Sequence, residues 1–139
     1  MKHSIGFIFF ASCIYLLLCG CRSAAEHQLV SAVEDYNSGC PVRMSDLVRI
    51  DSLHYERSSR DVTFCCSLIG LSRSVMFDDG DLQTVKDYCE RESKAQVERL
   101  QSNDYGRETL MLLKQAKSSL SFVYRLECGD TVYYNKFDQ

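Results

Sequence analysis

The apolar positions of the chain follow three patterns, and the first fills the N-terminal segment. Lys2 and His3 open the chain, and residues 5–18 are then apolar almost without interruption. This run is about as long as the core of a signal peptide and shorter than the roughly 20 residues that a membrane-spanning helix needs. The pattern predicts a cleaved export signal over residues 1–20, with an uncleaved transmembrane anchor as the alternative.

A helical pattern and then an alternating pattern follow this segment. Residues 23–39 carry apolar positions at helical spacing, and Asn37-Ser38-Gly39 ends the predicted helix. Strands are predicted over residues 47–57 and 62–68, joined by a polar turn to form a hairpin. The first strand loses strict alternation near Asp51-Ser52, which indicates a β-bulge.

The second half of the chain shows the same order of patterns. Helices are predicted over residues 82–101 and 107–117, followed by a hairpin of strands at residues 120–128 and 132–137. The order α-β-β-α-α-β-β predicts a small two-layer α+β domain, in which antiparallel hairpins are covered on one face by helices. The chain left after the export signal is long enough for a single such domain, expected over residues 26–139.

Charge argues against nucleic acid as a partner. The whole chain has a net charge of −3, and loss of residues 1–20 removes one lysine and no acidic residue. The two signs are interspersed, without a basic run that would indicate nucleic-acid binding. Export from the cytoplasm argues against nucleic acid independently.

The export signal ends in Leu18-Cys19-Gly20-Cys21, where a large residue stands three positions before Cys21 and a small one directly before it. Ordinary signal peptidase prefers small residues at both of those positions. Residues 1–21 resemble the signal segment and lipobox of bacterial lipoproteins. The resemblance implies a diacylglyceryl thioether on the Cys21 sulfur and an acylated amine, with palmitate among the chains. Residues 21–25 would then form a lipidated N-terminus and short tether, and two or more chains make such anchoring stable.

The residue after the lipidated cysteine bears on location. Arg22, and not Asp, follows Cys21, and no acidic run comes after it. In the sorting rule of bacterial lipoproteins this implies an outer membrane, with the domain facing the periplasm. The expected partners are the membrane, through the lipid, and another envelope protein.

A second, shorter resemblance lies within the predicted domain. Three segments are similar to those of small exported lipoproteins of no assigned activity: Asn37-Ser38-Gly39-Cys40-Pro41, Arg49-Ile50-Asp51-Ser52-Leu53 and Phe122-Val123-Tyr124-Arg125. The resemblance implies an envelope location and a fold of two hairpins. It implies no chemistry.

Cysteine is abundant for so short a chain. Once Cys21 is lipidated, five potential thiols remain, namely Cys40, Cys65, Cys66, Cys89 and Cys128. An oxidising compartment predicts two disulfides and one free cysteine. The expected bridge is Cys40–Cys89, because a fixed chain exit beside a helix is a common place for one.

The adjacent cysteines are the most unusual pair. Strand alternation turns Cys66 toward the core and Cys65 away from it, so the two are not expected to share a role. A redox site is the alternative, but the pair is not C-x-x-C and no Lys or His adjoins it to lower a thiol pKa. Cys65 and His54 could form a nucleophile pair across the hairpin. The favoured interpretation is that His54 and His27 are surface residues.

Two further clusters have structural interpretations. Asp78-Asp79-Gly80-Asp81 lacks the ligand offsets of a calcium loop and suits a helix N-terminus. The aromatic positions Tyr124, Tyr133, Tyr134 and Phe137 are expected to pack the core more than to bind a partner. The sequence therefore predicts no catalytic, metal or cofactor-binding residue and no cofactor.

Three functional hypotheses follow. The first is a non-enzymatic, lipid-anchored envelope module that binds another protein or the cell wall or has a structural role. The second is a periplasmic binder of a small ligand, held in a pocket between helices and sheet. The third is a thiol oxidoreductase that uses Cys65 or Cys66.

Overall fold

The computed structural model describes residues 23–72 and 79–138. Helix α1 covers residues 23–38. The remaining elements are, in chain order, β1 (Val42–Arg43), β2 (Val48–Glu56), β3 (Asp61–Leu68), α2 (Asp79–Ser102), α3 (Asp104–Ala116), β4 (Ser119–Leu126) and β5 (Thr131–Phe137). The predicted α+β class and the order of helix, strands, helices and strands are confirmed.

The two predicted hairpins join in one five-stranded sheet. The spatial order is β1-β2-β3-β4-β5, with β3 parallel to β4 and the other neighbours antiparallel. A parallel pair needs a long crossover connection, and α2 and α3 supply it here. Strand β1 was not predicted, because its two residues are too few to show a pattern.

The expected bulge lies in β2. Ile50 pairs with Cys66 and Ser52 with Cys65, so Asp51 is the extra residue of the bulged strand. The predicted orientation of the two cysteines is also confirmed. Cys66 is buried in the core, and Cys65 is half-buried on the opposite face of the sheet.

One face of the sheet carries the core beneath the helices. Phe64 and Phe122 stack on the parallel pair with ring centroids 4.8 Å apart, and Tyr36 of α1 meets Phe64 edge-on at 5.8 Å. All of the fully buried apolar residues lie between Ala25 and Leu126. Residues 23–138 therefore contain the whole core that the structure describes.

Helix α1 includes residues 23–25, which were predicted to belong to the tether. Ala25 is buried because it lies one helical turn before Leu29 on the same stripe. Residues 1–22, with the predicted export signal and Cys21, lie outside the described residues, as do Asp78 and Gln139. Within the described chain, no helix combines the length and apolar character needed to cross a membrane.

Candidate functional site

A partly open apolar cavity of about 210 Å³ lies between α1, α3 and the sheet. Its floor is the sheet, where Val62 of β3 pairs with Leu120 of β4. Its walls are the facing sides of the two helices. The residues that surround it are Leu29, Ala32, Val33, Tyr36, Leu53, Val62, Phe64, Leu100, Asn103, Tyr105, Thr109, Leu113 and Leu120.

The α1 wall is fixed by an amide side chain. Asn37 Nδ2 donates to the carbonyl oxygen of Leu53 at 2.8 Å, and Asn37 Oδ1 accepts from the Leu53 backbone N–H at 2.7 Å. The side chain thus bonds to β2 as a neighbouring strand would. Burial raises the pKa of the adjacent Tyr36 to about 12, so its hydroxyl is protonated at neutral pH.

The α3 wall begins at a tight junction with α2. Asn103 caps α3 by accepting from the Gly106 backbone N–H at 2.7 Å, and its Nδ2 donates to the carbonyl oxygen of Arg99 at 2.6 Å. Gly106 packs so closely that an added Cβ would lie 2.1 Å from the carbonyl oxygen of Leu100. This junction presents Tyr105, 56% exposed, at the mouth of the cavity.

The lining of the cavity suits binding more than chemical reaction. Its polar groups are the Asn103 amide, the Thr109 hydroxyl and the hydroxyls of Tyr36 and Tyr105, and no acid–base pair is present among them. Pockets for drug-sized ligands are usually about 300–1,000 Å³, whereas an apolar cavity of about 150 Å³ holds benzene. The space therefore fits one or two large apolar side chains, or a small apolar molecule.

The five cysteines of the described domain correct the disulfide prediction. Cys40, Cys65, Cys66, Cys89 and Cys128 are all free thiols, so the expected Cys40–Cys89 bridge is not formed within residues 23–138. Cys89 is fully buried in the core on α2. Cys40 follows the end of α1 and lies near Asp51. The two cysteines that the sequence offered for bridging are thus held in different packing environments.

The buried cysteines are also poor nucleophiles. Burial raises the pKa of Cys66 far above its usual 9.0 and that of Cys89 to about 12. Both sulfurs are therefore protonated at neutral pH, whereas redox chemistry needs the thiolate. Cys65 and His54 lie diagonally on the sheet face opposite the helices, in register with Ser52 and Thr63. Within the described chain no hydrogen bond joins Cys65 to His54.

The aromatic residues of the last two strands divide between the two faces. Tyr124 is fully buried, and its hydroxyl lies 3.0 Å from Ser93 Oγ. Tyr133 and Phe137 pack partly buried against the core. The prediction that these aromatics pack the core is confirmed for these three. Tyr134 is 52% exposed on the opposite face, where its hydroxyl lies 3.0 Å from Ser121 Oγ.

Sequence reasoning missed a buried carboxylate. Asp61 accepts hydrogen bonds at Oδ1 from Ser119 Oγ at 2.7 Å and Ser121 Oγ at 2.8 Å, and at Oδ2 from Thr63 Oγ1 at 3.1 Å. In the sequence, polar residues alternate with apolar ones along β3 and β4. This pattern indicates a hydrogen-bond network around Asp61 only once the two strands are known to be neighbours. Among the described residues, no group of three or more His, Cys, Asp or Glu side chains is placed to hold a metal ion.

Comparison with known proteins gives one family and two solved structures. The profile of a family described as a domain of unknown function (DUF8479) matches residues 23–133. A Pseudomonas aeruginosa protein provisionally described as secreted (PA3611) has a similar structure, with a TM-score of 0.58 and 11% identity, over 83% of this chain and 89% of that one. The pilotin EpsS of the Vibrio vulnificus type 2 secretion system gives a TM-score of 0.50 and 10% identity, over 84% and 93%. At these identities the likeness shows the fold. No curated protein sequence matches the chain.

Proposed function

We propose that this chain, which belongs to the DUF8479 family of domains of unknown function, is a non-enzymatic, lipid-anchored binding module of the cell envelope. Its binding site is the apolar cavity between α1 and α3. The occupant is an apolar segment of another envelope protein. The observation that carries the proposal is a partly open apolar space with an exposed tyrosine at its mouth.

The envelope location rests on sequence and fold together. The Leu18-Cys19-Gly20-Cys21 motif supports lipidation of Cys21, and Arg22 supports an outer membrane. A secreted protein and a secretion-system pilotin share the fold, which is consistent with an exported module. Since α1 is already helical at residue 23, the folded domain would sit within a few residues of its lipid.

A partner segment suits the cavity better than a separate ligand does. The volume of about 210 Å³ is below the usual range of small-molecule pockets, and the two walls are helices. An amphipathic helix places apolar side chains at spacings of three and four residues, which is how such segments enter grooves. Tyrosine is enriched among the residues that contribute most to protein interfaces, which fits Tyr105 at the mouth. The pilotin fold further supports a partner in the envelope.

A small apolar ligand is the second candidate, since the cavity wall offers few polar groups. Native mass spectrometry of the purified protein separates the two candidates. A bound small molecule of constant mass would favour the ligand. The unliganded mass is expected if the cavity receives side chains of a partner.

Site-specific photocrosslinking in the producing cell tests the partner directly. A benzoylphenylalanine at position 105 should crosslink to one envelope protein, because this position stands at the cavity mouth. The matched control is position 134, which is similarly exposed but lies on the opposite sheet face. Equal crosslinking from both positions would contradict the proposal.

Filling the cavity supplies the second half of the test. Ala32→Phe places a ring in the space and should abolish the crosslink from position 105 without loss of folding. Ser31→Phe, on the neighbouring exposed position, is the control and should leave the crosslink intact. If Ala32→Phe retains full crosslinking, the cavity is not the binding site.

The anchor is tested separately by Cys21→Ala. The variant should fold normally but leave the membrane fraction after a high-salt wash, because it lacks the lipid and salt weakens any remaining charge attraction to the membrane. Retention in the membrane fraction would contradict lipid anchoring and would leave the cavity experiment unaffected.

A further inference from the structure

Four cationic side chains surround a shallow depression of about 440 Å³ at one end of the domain. Arg60 comes from the turn between β2 and β3, Lys114 from the last turn of α3, Lys117 from the residue that ends α3, and Lys136 from β5. Among the described residues, Asp138 is the carboxylate that lines the depression, and the buried Asp61 carboxylate accepts a hydrogen bond from Ser119, which also lines it. None of the four cations forms an ion pair within the described chain. In a protein of net negative charge, this is a local excess of unpaired positive charge.

The elements that carry these cations are joined by backbone contacts. The Ser119 backbone N–H donates to the carbonyl oxygen of Arg60 at 2.9 Å, which ties the turn to β4. The Lys117 backbone N–H bonds to the carbonyl oxygens of the last turn of α3. Lys136 pairs with Ser121 of β4. The fold therefore brings together charges from three segments that are far apart in sequence.

One residue that lines the depression carries a buried hydroxyl without a hydrogen-bond partner among the described residues. Ser118 lines it and is 3% exposed, and its Oγ makes no hydrogen bond with any described residue. A buried polar group without a partner is uncommon and unfavourable, and such a group often marks an absent ion or water. An oxyanion in the depression would be neutralised by the surrounding cations, and rotation of the Ser118 side chain would let its O–H donate to that oxyanion.

The depression lies at the end of the domain where the chain begins. Arg57 Nε is 3.8 Å from Glu26 Oε1, which joins the first turn of α1 to the same β2–β3 turn that carries Arg60. Ser23, Glu26, His27 and Arg57 enclose a small pocket there. Cys21 is two residues before Ser23 in the sequence. If Cys21 is lipidated, this end of the domain faces the membrane.

We propose that this cluster binds the phosphate groups of anionic phospholipids in the membrane that holds the anchor. The orientation rests on the proposed lipidation of Cys21, whereas the phosphate chemistry rests on the cluster itself. Lysine and arginine near an anionic surface each strengthen attachment, and lipid chains combined with a basic patch hold a protein more firmly than either does alone. Contact through this end would also fix the direction in which the cavity faces.

The experiment uses the chain without its lipid, residues 22–139, which retains every core residue of the described domain. Binding is measured by co-sedimentation with phosphatidylcholine vesicles that contain or lack phosphatidylglycerol, with circular dichroism as the check of folding. Binding is expected only to the anionic vesicles and should weaken as salt is raised. Equal binding to both vesicles, or to neither, overturns the proposal.

Charge variants locate the contact. Lys114→Gln with Lys136→Gln should weaken binding to anionic vesicles by roughly fivefold for each cation removed. The matched control, Arg91→Gln with Arg99→Gln, removes two exposed cations from α2 and should leave binding unchanged. Equal effects of the two double variants would show a general charge effect and overturn the assignment of the site.

Ser118→Ala separates binding from structure. Because the hydroxyl has no partner in the free protein, its removal should leave the melting temperature the same or higher, yet weaken vesicle binding. Unchanged binding would overturn the role of Ser118 in the site.

Inorganic phosphate is the last probe, and it should bind to the protein only weakly. If it binds as tightly as the anionic vesicles do, the site takes free phosphate and the membrane proposal is wrong. These results do not depend on the fate of Cys21→Ala, so the two proposals can fail independently.

Discussion

Asn37 binds both backbone groups of Leu53 through its side-chain amide, with the two hydrogen bonds at 2.8 and 2.7 Å. Leu53 comes just after the bulge in β2, and Asn37 stands in the last turn of α1. One side chain thus fixes how far α1 stands from the sheet, and so fixes one wall of the cavity.

Asn37→Ala should therefore lower the free energy of unfolding by about 2 kcal/mol, since it leaves a partly buried N–H and carbonyl of Leu53 without partners. Urea denaturation measures the change. Ser38→Ala removes an exposed, local hydrogen bond from the neighbouring residue and should cost less than about 0.5 kcal/mol. Similar losses in both variants would mean that the bond to β2 is not what stabilises α1.

The features that the sequence predicted well are those encoded locally. Broken alternation at Asp51 indicated the bulge, and intact alternation in β3 indicated which of Cys65 and Cys66 faces the core. Alternation assigns a residue to a face, but it does not say which strand lies beside which. The parallel pairing of β3 with β4 was therefore not predictable, and neither was the group of hydroxyls around Asp61 that depends on it.

The cavity and the disulfide error have related causes. A void between α1 and α3 depends on how far apart the helices stand, and that distance is set by contacts such as Asn37 with Leu53. The disulfide prediction used the oxidising compartment and the cysteine count. It failed because Cys66 and Cys89 serve as small apolar core residues, which the cysteine spacing alone does not reveal.

Gly106→Ala should be among the most damaging small substitutions in the domain. Its Cβ would lie 2.1 Å from the carbonyl oxygen of Leu100, a backbone atom that cannot move without displacing the junction of α2 and α3. We expect a loss of about 3 kcal/mol. Gly39→Ala is the control, because its Cβ would meet only the Tyr36 carbonyl oxygen at 3.5 Å. Chemical denaturation of both variants should therefore show a large and a small loss, and equal losses would contradict the close packing at Gly106.

Asp61→Ala should destabilise the domain by roughly 2–3 kcal/mol, because it removes the acceptor for three hydroxyl groups. Asp61→Asn keeps one oxygen acceptor and should lose less. Asp46→Ala breaks only an exposed ion pair with Arg43 and should cost less than about 0.5 kcal/mol. Thermal unfolding ranks the three variants. A loss for Asp61→Ala no greater than that for Asp46→Ala would mean that the buried network contributes little to stability.

The free thiols should react in two groups. In the chain of residues 22–139, exposed Cys128 should react with a thiol reagent in the native protein, whereas Cys66 and Cys89 should react only after denaturation, when all five thiols of that chain are counted. A native protein with fewer than five thiols after denaturation without reductant would show that a bridge forms after all.

The burial of Cys89 also makes stability depend on pH. Burial raises the pKa of its thiol from 9.0 to about 12, so the folded state favours the protonated form. The resulting stabilisation is complete below pH 9 and is lost as the pH rises toward 12. Denaturant midpoints measured from pH 8 to 11 should fall with rising pH, and they should fall less steeply in Cys89→Ala. The exposed Cys128→Ala should keep the slope of the unsubstituted protein. If Cys89→Ala shows that same slope, the thiol at position 89 is not the group whose ionisation opposes folding.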